Sequence, residues 1–168
     1  MLPWDLNLAF GGFQSGDATS AVNSAIDTPM GGNLEQERPL FSKLMEVEGY
    51  KERYHSYLND IVEGYVNSGQ FTQTLSKIKG VIEPYVDKDT TAFYSYSEFK
   101  EAIATLKTFV LLRSESVEKQ LCGEIASVSS ERNTDTVLVD ASDITLGTMG
   151  MQQQVPQEQK GPEQNARE

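Results

Sequence analysis

A mainly α-helical domain followed by a polar tail is what this sequence predicts, on three observations. Apolar and aromatic residues recur at spacings of three and four through most of residues 39–121, the signature of helices with one buried face. The only cysteine is Cys122 and the only histidine His55, so neither an intramolecular disulfide nor a Cys/His zinc site can hold the fold, and an apolar core must. All seven Phe, all seven Tyr and the single Trp lie at or before Phe109, which leaves the last part of the chain without an aromatic anchor. A length of 168 residues suits one domain.

Taken in order, Leu2-Pro3-Trp4-Asp5-Leu6-Asn7-Leu8 alternates apolar and polar residues, as a strand end or tight turn does. Residues 5–38 are rich in Gly, Asn, Ser and Asp and predict a long loop, which in a compact domain is more often functional than idle. A short helix from Pro39 to Val47 turns Leu40, Leu44 and Val47 to one side, with Pro39 suited to its first turn. Tyr50, Tyr54, Tyr57, Leu58, Ile61, Val62 and Tyr65 predict a helix of about five turns whose apolar face must be covered.

Gly69 interrupts that stripe, and Phe71, Leu75, Ile78, Ile82 and Tyr85 begin another, with Pro84 disturbing the ladder near its end. The short Asn-Ser-Gly connection predicts antiparallel neighbours. Ser95-Tyr96-Ser97-Glu98 fits a capping box opening a third long helix, which runs through Phe99, Ile103, Leu106, Val110, Val117 and Leu121 to Gly123. Residues 124–168 then read as a low-complexity, disordered tail, ending in a Gln- and Pro-rich stretch that cannot bury enough surface to offset its ordering entropy. Within it, Thr136-Val137-Leu138-Val139 is β-prone and would form a strand if something paired with it.

Charge narrows the function classes. Lys and Arg number 14 against 25 Asp and Glu, a net charge of −11 and a pI near 4.5, with no basic cluster to neutralise phosphates, so nucleic acid is not expected as a partner. Residues 1–123 carry 11 basic and 17 acidic side chains and 124–168 carry 3 and 8. No run of about 18 apolar residues predicts a membrane span, and Met1–Asp5 does not read as a secretory signal.

Asp5 and Asn7 are the residues best suited to chemistry. Two apart on an alternating segment, a carboxylate and an amide can both offer oxygen to a hard cation such as Mg²⁺. They can equally cap a turn and hydrogen-bond their own backbone. Asp27-Thr28-Pro29 reads as a capped, proline-stiffened turn, His55 as a boundary histidine with a packing or hydrogen-bonding role, and Cys122 as a small packing residue.

These segments together resemble a known family. Leu2-Pro3-Trp4-Asp5-Leu6-Asn7-Leu8-Ala9-Phe10-Gly11-Gly12, Ile26-Asp27-Thr28-Pro29, Pro39-Leu40, Tyr50–Leu58, Ile82-Glu83-Pro84-Tyr85-Val86 and Leu112–Val117 occur in an order similar to the C-terminal part of the CotH-like atypical protein kinases, named for a bacterial spore-coat protein. The resemblance runs from Leu2 to about Gly123 and implies the helical C-terminal lobe of a kinase-like fold over residues 1–123, with a short β/loop metal-site segment at its N-terminus.

It further implies that Asp5 is the metal-holding acid, the counterpart of the Asp in the Asp-Phe-Gly motif of ordinary kinases. Asn7 would be a second oxygen ligand or a group orienting Asp5, Mg²⁺ and ATP the cofactors of the complete domain, and protein Ser/Thr its acceptor. The nucleotide-binding cation, its acidic partner and the residue that orients the attacking hydroxyl lie upstream of the Pro-Trp-Asp segment in that family. The expectation is therefore a truncated kinase portion, inactive alone, that is either a gene fragment or one piece of a split protein whose N-terminal lobe is separately encoded. The competing expectation is a non-enzymatic coat or scaffold module built on the helical block.

Overall fold

A computed structural model describes residues 9–11, 16–29 and 39–150. Among these the protein is mainly helical and contains no strand. The helices are α1 (Ala18–Val22), α2 (Leu40–Met45), α3 (Glu48–Ile61), α4 (Gln70–Val86) and α5 (Tyr96–Leu121). A π-helical turn, Val62–Asn67, joins α3 to α4, and single 3₁₀ turns occur at Ser129–Glu131 and Leu146–Met149.

The spine is α5, 26 residues long. Its start is the expected capping box: Glu98 N–H donates to the Ser95 hydroxyl at 3.2 Å while the Glu98 carboxylate accepts from Ser95 N–H at 2.7 Å. The Tyr96 hydroxyl donates to Glu83 at 2.8 Å and ties this end of α5 to α4. At the other end Gly123, at φ 82°, stops the helix as expected.

The five-turn helix predicted from Tyr50 is re-phased by the π turn. One extra residue per turn rotates the downstream side chains by roughly 100° relative to an α-helix, so Val62 and Val66 are buried while Tyr65 swings outward against the Phe71 ring, 6.1 Å away. The predicted stripe narrows accordingly. Tyr54, Leu58 and Val62 face inward, whereas Tyr50, Tyr57 and Ile61 are exposed. On α4 the predicted stripe is buried only at its start: Phe71 is 9% exposed, but Ile78 is 52% and Tyr85 74% exposed.

Two apolar clusters hold the fold. Ile26, Val62 and Val117, with Leu58 and Leu121 against them, pack the π turn onto α5. The larger cluster gathers Ala18, Val22, Phe109, Ile125, Val139, Ala141 and Leu146. Four of those seven lie beyond the boundary expected at 123, so the polar tail does not start there. Residues 124–150 pack along α5 because Ile125, Val139, Ala141 and Leu146 supply an aliphatic face that needs no aromatic anchor. Residues 151–168 lie outside the described residues.

The β-prone run at 136–139 forms no strand. Its partner is a side chain instead: Asn23 Nδ2 donates to Val139 O at 2.8 Å and Asn23 Oδ1 accepts from Val139 N–H at 3.1 Å, the donor and acceptor pair a neighbouring strand would have supplied.

Candidate functional site

The described polar groups converge on the loop that leaves α1, residues 23–28. Asn23 is 1% exposed and holds both sides of the loop, since Oδ1 also accepts from the Ser116 hydroxyl at 3.0 Å and Nδ2 also donates to Thr19 O at 2.8 Å. Gln120 on α5 accepts from Ile26 N–H at 3.0 Å and donates to Ser24 O at 3.3 Å. Two guanidinium groups grip the same backbone. Arg113 Nη1 donates to Val22 O at 2.9 Å and Ser24 O at 2.6 Å, while Arg132 donates to Ala126 O at 2.9 Å and to Asn23 O.

Asp27 closes the loop, and its carboxylate is buried, with 4% of the side chain exposed. Oδ1 lies 2.6 Å from His55 Nε2; Oδ2 accepts from the Ser127 hydroxyl at 2.7 Å and lies 3.0 Å from Lys51 Nζ. Lys51 and His55 stand one turn apart on α3, so both reach the same carboxylate. Asp27 N–H donates to Ser127 O at 2.9 Å, and the Thr28 and Ser129 hydroxyls, 2.9 Å apart, continue the junction. The turn expected at Asp27-Thr28-Pro29 is thus an ion-pair node joining α3, the loop and the segment after α5. His55 has the expected hydrogen-bonding role.

Burial alone would push the Asp27 carboxyl up. Hydrogen bonds from His55, Ser127 and Lys51 together outweigh it and hold the group below its ordinary value, hence ionised. The same surroundings act on neighbours. Burial, and then the Asp27 charge, raise the Tyr54 hydroxyl, which donates to Ile26 O at 2.9 Å. Burial lowers Arg113 to about 10, with the Tyr54 phenol working against it and Arg132 reinforcing it. Arg113 remains charged at neutral pH. Arg132 Nη2 and Ser114 Oγ are buried with no hydrogen-bond partner among the described residues.

Both Asp27 oxygens are engaged by protein donors, which leaves little room for it to act as a metal ligand. Among the described residues no group of three or more His, Cys, Asp or Glu side chains could hold a metal ion. Asp5 and Asn7 lie outside the described residues. The end of their segment is visible at Gly11, where an added Cβ would stand 3.3 Å from the Leu146 side chain and 3.4 Å from Ala21 Cβ. This glycine itself, at φ 76°, stands against α1 and the Leu146–Met149 turn, beside the larger core cluster. Cys122 is exposed, and its thiol meets the Lys119 carbonyl at 3.4 Å.

Lys51, Ser127, Arg113, Arg132, Asn23 and Gln120 do not stand out in the sequence. Ser116 and Gln120 carry the one usable signal, as polar residues within the long helix expected to end at Gly123, whereas Asn23 falls in the segment expected to be a loop.

Compared with known proteins, residues 1–117 match the family model described as CotH kinase protein. No curated protein and no solved structure matches the chain. The matched span contains the Asp5 segment, the Asp27 loop, α3 and α4, and most of α5; Ser127, Arg132 and the Val139 segment lie beyond it.

Proposed function

From the premise that the chain belongs to the CotH kinase family, we propose that it supplies the metal-holding and helical portion of a site that transfers the γ-phosphate of ATP to protein Ser or Thr. The observation that carries this reading is the family match over residues 1–117, which includes Asp5. In the proposal Asp5 ligates Mg²⁺ and Asn7 adds a second oxygen or orients Asp5. The donor set is chemically suited, being hard oxygens that leave positions for phosphate and water. Bound Mg²⁺ would neutralise charge on the transferring phosphates.

The described residues contribute rigidity. Asn23, Arg113, Arg132 and the Asp27 node fix the loop after α1, and Gly11 stands beside the larger core cluster. Such fixing matters because phosphoryl transfer rests on positioning. The nucleotide-binding cation and the group that orients the attacking hydroxyl are, in this proposal, contributed by polypeptide other than residues 1–168, and spore-coat-type proteins are the proposed acceptors.

Manganese electron paramagnetic resonance tests the metal role: Asp5→Ala should weaken Mn²⁺ binding by about tenfold or more, and unchanged binding would remove Asp5 from the site. Radiolabelled ATP with Mg²⁺ and a Ser/Thr-containing protein acceptor tests the rest. Residues 1–168 alone should transfer no phosphate, and transfer should return with the N-terminal portion of a CotH kinase. Robust transfer by the chain alone would overturn the division of labour.

A further inference from the structure

The outer face of α4 carries Ile78, Val81, Ile82 and Tyr85, which are 52%, 68%, 37% and 74% exposed. Ile82 and Val86 are four apart and share a side of the helix, so the stripe runs into a pocket of about 320 Å³ at the turn between α4 and α5. Val86, Phe93, Phe99 and Met149 supply its apolar walls, and Phe93 is fully exposed. An apolar stripe leading into a concave apolar end is the shape that accepts one face of an amphipathic helix.

Its rim is acidic. Around the pocket, residues 87–101 hold Asp87, Asp89, Glu98 and Glu101 against Lys88 and Lys100, while Glu83 lies 3.6 Å from Lys79, and Lys77 and Lys79 flank Ile78 at the start of the stripe. Lys100 is turned onto the Tyr96 ring, 4.4 Å from its centroid. Asp89 and Glu98 line the pocket and are fixed as anions: Thr91 donates to Asp89 at 2.8 Å and 2.7 Å, and Ser95 N–H donates to Glu98. A chain of net charge −11 repels a second copy of itself and an anionic bilayer alike. A cationic partner is the complement.

We propose that this surface docks a basic amphipathic segment of a partner protein, with an apolar anchor in the pocket between Val86 and Phe93 and Lys or Arg side chains on the acidic rim. The site stands apart from the Asp27 node and does not depend on phosphoryl transfer. Specificity comes from the rim charges and most of the affinity from the desolvated anchor.

Fluorescence anisotropy on the whole chain tests this with a labelled leucine/lysine amphipathic helix of about 18 residues as the probe. Saturable binding that weakens about tenfold or more in Val81→Ser/Phe93→Ser, and falls with added salt, is expected. Both positions are exposed, so the double variant should keep the wild-type circular dichroism; Asp89→Asn/Glu98→Gln should weaken binding with the apolar wall intact. Equal binding of a leucine/glutamate helix, or lysine-helix binding unchanged in the double variant, would overturn the proposal. So would a homodimer that the double variant dissociates, which would give the face to a second copy. Hydrogen exchange in residues 151–168 that speeds up in the double variant without peptide would give it to the chain itself, and would equally overturn it.

Discussion

Around the loop at 23–28 polar side chains are buried and bonded, while on the outer face of α4 apolar side chains stand in solvent, so the two regions invert the usual placement in opposite senses. At the loop, Asn23, Ser116 and Gln120 are between 0% and 4% exposed and satisfy one another and the backbone. On α4, Val81 and Tyr85 are more than two-thirds exposed. The difference teaches that hydrophobic patterning alone does not say which helix face is covered here. At the loop, shape is specified by directional bonds that tolerate no near neighbour; on α4 the apolar stripe packs against little among the described residues.

The contrast has its largest expression at Asn23. Replacing it with Leu removes the donor and acceptor that satisfy Val139 and the partner of Ser116, leaving buried backbone groups unpaired, and should cost about 3 kcal/mol or more in chemical denaturation. A cost under about 1 kcal/mol would mean that water reaches the loop and the interior is not dry. Next comes Arg113→Met, expected to cost about 2 kcal/mol by orphaning the Val22 carbonyl and leaving Ser24 O only its longer bond from Gln120. Arg113→Lys should recover part of it, because both bonds leave the single Nη1 and an ammonium can also donate twice, though from a shorter stem.

Asp27→Asn is the next step down, at about 1–2 kcal/mol near neutral pH, since Lys51, His55 and Ser127 lose a charged acceptor. Its sign in acid comes from linkage. The folded-state value lies below the ordinary 3.8, so the wild-type contribution is fully present above that value and is lost as pH falls through the folded value. Denaturation midpoints of wild type and Asp27→Asn should converge in that window, and parallel profiles would show that the node is not what titrates. The smallest effect belongs to the other region. Val81→Ser should change stability by no more than about 0.5 kcal/mol, and a larger loss would mean the α4 face is covered within the chain.

The helices are legible in the sequence because periodicity and caps are local. Ser95 and Glu98 announce the start of α5, and Gly123 its end. Two features are hidden for opposite reasons. The π turn at Val62–Asn67 leaves no compositional mark, yet it decides that Val66 and not Tyr65 is buried. The packing of 124–150 is masked by composition: absence of aromatics suggests a tail, whereas small aliphatics suffice against Phe109 and Val22.

The candidate site is readable only where one residue type carries the message. Asp27 and His55 each stand out, but singly, because their meeting is a tertiary event across 28 positions. Ser127 and Arg132 stay hidden in a segment whose composition resembles a tail. The metal-holding role proposed for Asp5 rests on resemblance to a family and not on spacing, which by itself favours a capped turn.

The Asn23–Val139 pair joins residues 116 positions apart, and the Asp27–Ser127 bond spans 100. Closing loops of that length is slow relative to forming the π turn and its flanking helices, whose contacts are local. During synthesis the loop after α1 must therefore wait, with its polar groups hydrated, until α5 and the segment beyond it have emerged. The last described part of the chain to be made is what completes the first, so an interruption of synthesis before Val139 would leave helices without the core cluster that orders the site.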